Sequence, residues 1–119
     1  MNAAKAHGEA LRAIQSLIGK SEKARQKLPP GTWQHTMLRD HLAALQVASA
    51  LLTGESADSI RQEDLQAAAQ GLGSLIAKTE SALAKFSSGA SQRTLLQNRL
   101  EALRVAQVLV KAEQETRKP

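Results

Sequence analysis

The feature that most constrains this chain is an internal repeat at an offset of 58 residues. Between 16–51 and 74–109, 17 of 36 ungapped pairs are identical. Ser16-Leu17-Ile18 falls on Ser74-Leu75-Ile76, and Lys20, Glu22, Ala24 and Lys27 fall on Lys78, Glu80, Ala82 and Lys85. Gly31, Gln34, Thr36 and Leu38 match Gly89, Gln92, Thr94 and Leu96, and the run Leu42 to Leu51 matches Leu100 to Leu109 at six positions. Shared helical composition alone supplies roughly a tenth of such matches. A tandem duplication is the expectation, so whatever one copy folds into, the other must fold into as well.

The period of the apolar residues says what that unit is. Ala10, Ile14, Leu17, Ser21, Ala24 and Leu28 recur at spacings of three and four, which is one stripe of an α-helix. Leu65, Ala68, Leu72, Leu75, Thr79, Ala82 and Phe86 repeat it. Leu38, Leu42, Leu45, Ala48 and Leu52 form a second stripe, and Leu96, Leu100, Leu103, Ala106 and Val110 its counterpart. No window of four or more residues alternates convincingly at period two. With 21 Ala, 17 Leu and 11 Gln against only 8 Val and Ile, the chain lacks the β-branched content of a sandwich or an α/β sheet.

Breaks fall between the stripes. Pro29-Pro30-Gly31 ends the first helix, because proline cannot continue the hydrogen-bond ladder, and Ser87-Ser88-Gly89 stands at the same place in the second copy. Gly31 and Gly89, or Thr32 and Ser91, are the competing N-caps of the following helices. Gly54 suits a C-terminal stop, and Ser56 or Ser59 a cap before the third helix, with Ser59-x-x-Gln62 in the pattern of a capping box. Four helices are expected, at about 2–28, 32–53, 59–86 and 90–115. Short connections make sequential helices antiparallel. The expected fold is a single all-α domain over 1–119, an up-down-up-down four-helix bundle of two hairpins (about 2–53 and 59–115) with a frayed tail at 116–119. A pair of stacked hairpins is the alternative.

The sequence offers little to catalysis. There is no cysteine, so thiolate chemistry and disulfides are excluded. A carboxylate-bridged metal site in a helical bundle needs Glu-x-x-His, which occurs nowhere. His35 and His41 are six apart and do not stack on one helix face; they read, with His7, as solvent-facing. Gly71 and Gly73 lie inside a helical pattern and fit close helix contact rather than phosphate binding. No catalytic, cofactor or metal residue is assigned, and an enzyme is not expected. The N-terminus lacks a secretory apolar run and no stretch reaches the length of a membrane span, so the expected setting is cytoplasmic and away from membranes.

Charge is distributed unevenly. The net charge is +5. The halves of the helices nearest the 28–31 and 86–89 turns, about 17–43 and 75–101, hold nine cations and four anions, while the remainder is balanced. Both aromatic residues also lie there, Phe86 expected in the core and Trp33 as a partly buried cover over its turn. Two functions follow. The first is a non-enzymatic helical interaction module with a protein partner or a second copy of itself. Its candidate interface is Val47, Val105 and Val108, which point outward if Leu45, Leu52, Leu103 and Val110 point inward. The second is weak, sequence-blind binding of nucleic acid or another polyanion by Lys20, Lys27, Arg39, Lys78, Lys85, Arg93 and Arg99.

Overall fold

A computed structural model of the chain describes residues 3–54, 57–86, 89 and 91–117. It is all-α, with four helices and, among the described residues, no strand. Helix α1 spans Ala3–Gln26, α2 Trp33–Thr53, α3 Gln62–Leu83 and α4 Ser91–Thr116, with one short 3-10 turn at Ala57–Ser59.

The first turn shows how the chain reverses. The last turn of α1 tightens, with Lys27 N–H on Ala24 O and Leu28 N–H on Arg25 O, before the two prolines remove further donors. Gly31 then takes a positive φ of 87°, which a side chain would disfavour. Thr32 caps α2, not Gly31: its Oγ1 accepts from His35 N at 3.2 Å and donates to Pro29 O at 2.9 Å. One hydroxyl thus ties the helix start to the turn before it. In the second copy Gly89 repeats the positive φ, at 92°. Ser87, Ser88 and the position preceding α4 lie outside the described residues, as do Ser56 and the tail beyond Arg117.

Gly54 ends α2 in the left-handed conformation, its N–H on Ala50 O and Leu51 O, as expected. The capping box expected at Ser59 does not form. Ser59 belongs to the 3-10 turn, and α3 starts three residues later behind Arg61, which lends no side-chain cap. Glu63 and Asp64 occupy the positive first turn of α3 instead, with Arg61 3.3 Å from Asp64.

Helix α1 packs against α2 and α4, and α3 against α2 and α4; α2 and α4 also touch each other. The core is Ala10 and Ile14 of α1, Ala44, Leu45 and Ala48 of α2, Leu65, Ala68 and Leu72 of α3, and Ala102, Leu103, Ala106 and Val110 of α4. Every one of these lies in the part of its helix away from the hairpin turns. Toward the turns the same stripes lose cover: Leu28, Leu38, Ala82 and Leu96 are only half-buried, and Ala24 is exposed. The body measures 45 × 43 × 20 Å, with a radius of gyration of 14.6 Å against about 13.5 Å for a compact domain of this length. Four parallel helices of 21 to 26 residues would give one long dimension of about 40 Å and two short ones. Two long dimensions mean that the helix axes do not all run together. The molecule is flat, two helices thick, and fully packed only where its two halves overlap.

Helices α2 and α3 meet most closely at Gly71. A Cβ there would stand 2.7 Å from Ala44 Cβ, too near for any real contact. Gly73 is less crowded, 3.6 Å from the flexible end of Gln107. Gly71→Ala is therefore expected to cost about 1–3 kcal/mol through overpacking. Gly73→Ala should be neutral or stabilising by up to about 1 kcal/mol from helix propensity. Urea unfolding of the two variants checks the pair.

Candidate interaction surface

The seven cations marked by the sequence divide into three kinds. Lys20, Lys27 and Lys85 are exposed on or just beyond their helices. Arg39 is exposed and lies 3.7 Å from its neighbour Asp40, a pair that contributes little in water. Lys78 is exposed too, its Nζ resting 2.9 Å from Met37 Sδ across the α2–α3 seam.

Arg93 and Arg99 are different. Arg93 is half-buried, and its Nη1 donates to Leu83 O at 2.9 Å and Phe86 O at 3.1 Å. Those carbonyls lie at the C-terminal end of α3, where the helix leaves acceptors unmet and its dipole favours a cation. Arg93 thus fastens α4 to the end of α3. Arg99 is also half-buried, and its Nη2 is buried without a hydrogen-bond partner. Arg104 crosses between the same helices to Glu80 at 2.8 Å, beside a hollow of about 640 Å³. Arg117 reaches back from the end of α4 to Ile60 O at 2.7 Å, so the tail expected to fray is fastened as far as that residue.

His41 corrects the expectation of a solvent-facing ring. It is 7% exposed. Its position was legible: 41, 45, 48 and 52 follow the inward period of α2, and 41 falls on Arg99 at the 58-residue offset. The second buried polar group of the interior therefore occupies the same place in the repeat as the first. Burial and the nearby Lys78 ammonium push the His41 imidazole below its ordinary value of 6.5, with Asp40 acting weakly in the other direction.

His41 lines an open groove of about 730 Å³ between α2 and α3. Its walls are mostly small: Ala43, Ala44, Val47 and Ala50 on α2 face Ala67, Ala68 and Gly71 on α3. Sequence reasoning missed this groove, although the small residues at helical spacing on both helices were its signal.

The aromatic residues also depart from expectation. Trp33 is 72% exposed at the first residue of α2, and Phe86 sits at the surface rather than in the core. Both follow from the thin cover near the turns. Val47 and Val105 are half-buried and pack against the core, a departure from the outward placement expected for them. Val108 is 66% exposed, and Leu95 adds another uncovered apolar side chain on α4.

Among the described residues, no three His, Asp or Glu side chains cluster as metal ligands, and no helix is long and apolar enough to cross a membrane. Comparison with family models, curated proteins and solved structures finds no match.

Removing Arg93 should uncover two helix-end carbonyls, so Arg93→Met is expected to lower stability by about 1–3 kcal/mol. Arg99→Met should instead be neutral or stabilising by about 1 kcal/mol, because it removes a buried donor with no acceptor. Thermal melts of both variants distinguish a fastener from an unpaired charge.

His41 also sets a pH dependence. Its folded-state value lies below the unfolded one, so the unfolded chain takes up the proton first as pH falls. Stability is full above about pH 6.5 and declines as pH drops below it, until the folded ring protonates as well. Urea midpoints between pH 7.5 and 5 should fall for the wild type and fall less for His41→Gln.

Proposed function

We propose that this protein is a non-enzymatic helical interaction module that binds another protein, or a second copy of itself, through the turn-side ends of its helices. The reading includes the architecture expected from the repeat: a duplicated hairpin arranged up-down-up-down, with its two copies overlapping only over their far halves. The observation that carries it is the incomplete cover of the apolar stripes toward the turns. Phe86, Trp33 and Leu95 are exposed there, and Leu28, Leu38 and Leu96 are half-buried. Exposed apolar side chains gathered at one region commonly mark an interface. The surplus of positive charge lies on the same halves, which favours an acidic partner.

A second reading rests on that charge alone: weak binding of nucleic acid or another polyanion through Lys20, Lys27, Arg39, Lys78 and Lys85. Arg93 is engaged with the end of α3 and contributes less. With about four phosphate contacts, the logarithm of affinity should fall with that of salt at a slope of about −3 to −4.

Sedimentation at low micromolar concentration tests the self-association arm, with Trp33 fluorescence as a local reporter. A concentration-dependent increase in mass that Trp33→Ser and Leu95→Gln weaken is expected if the uncovered ends pair. A strict monomer removes the dimer. For the polyanion reading, Lys27→Glu with Lys85→Glu should abolish binding at 50 mM salt without changing the melting temperature. Binding that survives this double variant overturns it.

A further inference from the structure

The groove between α2 and α3 has one end unlike the rest. At its far end Ser59, Ile60 and Asp64 close the wall, and Asp64 is engaged by Arg61. At the other end stand Met37, His41 and Ser74, with Lys78 one helical turn beyond Ser74. The Lys78 ammonium has no carboxylate partner among the described residues; its contact is the Met37 thioether, a weak acceptor. His41 is more than nine-tenths buried, lines the groove, and makes no hydrogen bond among the described residues. An imidazole so placed ordinarily finds a partner, because an unpaired buried polar group is costly. Between the two ends the walls are alanine, valine, isoleucine and glycine over about 20 Å, measured as 13 residues of α2 at 1.5 Å each.

We infer that this groove is a binding site for a small amphiphilic carboxylate, its anionic head on Lys78 and His41 and its apolar chain along the Ala43–Ala50 and Ala67–Gly71 walls. The arrangement follows the usual division of a ligand site into an apolar trough and a few convergent polar groups. A carboxylate at the head position pairs with the Lys78 ammonium and accepts a hydrogen bond from the His41 ring, and the Ser74 hydroxyl stands on the same wall to donate another. Asp40, the acidic group nearest His41, is turned to Arg39, and Asp64 lies at the opposite end, so the acid-poor end is the one beside Lys78. The inference is independent of the protein-binding reading, which concerns the uncovered helix ends rather than this seam.

Binding also couples to a proton. The charges that face His41 are Lys78 from α3 and Asp40 from α2. An anion beside Lys78 offsets that cation, so His41 takes up a proton more readily when the site is filled.

Decanoate, below its micelle concentration, is the probe, and decyltrimethylammonium is its cationic counterpart of equal chain length. Titration of the full chain should show decanoate binding at one site, with shifts of the His41 imidazole resonances and an upward move of their titration midpoint. The cationic probe should bind at least about tenfold more weakly, and Lys78→Gln should weaken decanoate by about tenfold, the scale of one charge-assisted contact. Ala67→Leu, a surface change that fills the trough, should abolish binding with the helical signal intact, while Lys85→Gln leaves it unchanged. The inference is overturned if decanoate fails to bind, if both probes bind equally, or if Lys78→Gln and Ala67→Leu bind as the wild type does.

Discussion

Helices α2 and α3 can join the two halves of this chain only because one residue between them has no side chain. Gly71 lies against Ala44 at a separation that even a methyl group would violate. Around that point the seam is built from Ala43, Ala44, Ala67 and Ala68, whose small side chains let two backbones approach. Large residues then fill the interior behind it: Ile14, Leu45, Leu65, Leu72, Leu103 and Val110 are essentially fully enclosed. The division is physical. Interiors are close-packed, so bulk is useful where four helices converge and harmful where two must touch. The open side of the same seam becomes the groove.

The close crossing also determines what is left uncovered. Each sequential pair of helices is longer than the region where the two pairs overlap. Beyond the overlap an apolar stripe has its own hairpin partner but no second layer. That is why Leu28, Leu38 and Leu96 are half-buried although they continue the stripes of Ile14, Leu45 and Leu103. It is also why the polar groups at the matched positions 41 and 99 matter: they stand at the margin of the enclosed core, where burial is deep enough to strip a histidine of water and leave a guanidinium nitrogen unpaired. The interaction reading, the pH dependence and the proposed ligand site all arise from this boundary between packed and unpacked helix.

Helix existence, order and termini were legible before any coordinates. The three-and-four spacing of Leu and Ala is a local property, and Pro29-Pro30, Gly31 and Gly54 act through backbone geometry that depends on few neighbours. The 58-residue repeat carried the pattern of one copy onto the other, and Leu45 and Leu103, placed on the inward stripe by period alone, are both buried. Capping was harder. Thr32 prevailed over Gly31 because its hydroxyl can serve the turn and the helix at once, and Ser59 lost its box because the connection spent those residues on a 3-10 turn.

What only the tertiary structure decided is which members of each stripe reach the core. Periodicity reports the face of a helix on which a residue lies; it carries no information on how far along that helix another layer extends. Phe86 and Leu65 belong to one stripe, yet Leu65 is enclosed and Phe86 is at the surface. Arg93 and Lys85 belong to one set of cations, yet only Arg93 meets the carbonyl ends of α3. Sequence by itself determined the four helices, their turns and their inward faces, since those depend on contacts within a few residues. The lateral crossing of the two halves settled the core, the groove and the fate of His41, because overlap between distant segments is set by the one place, Gly71 on Ala44, where they can come together.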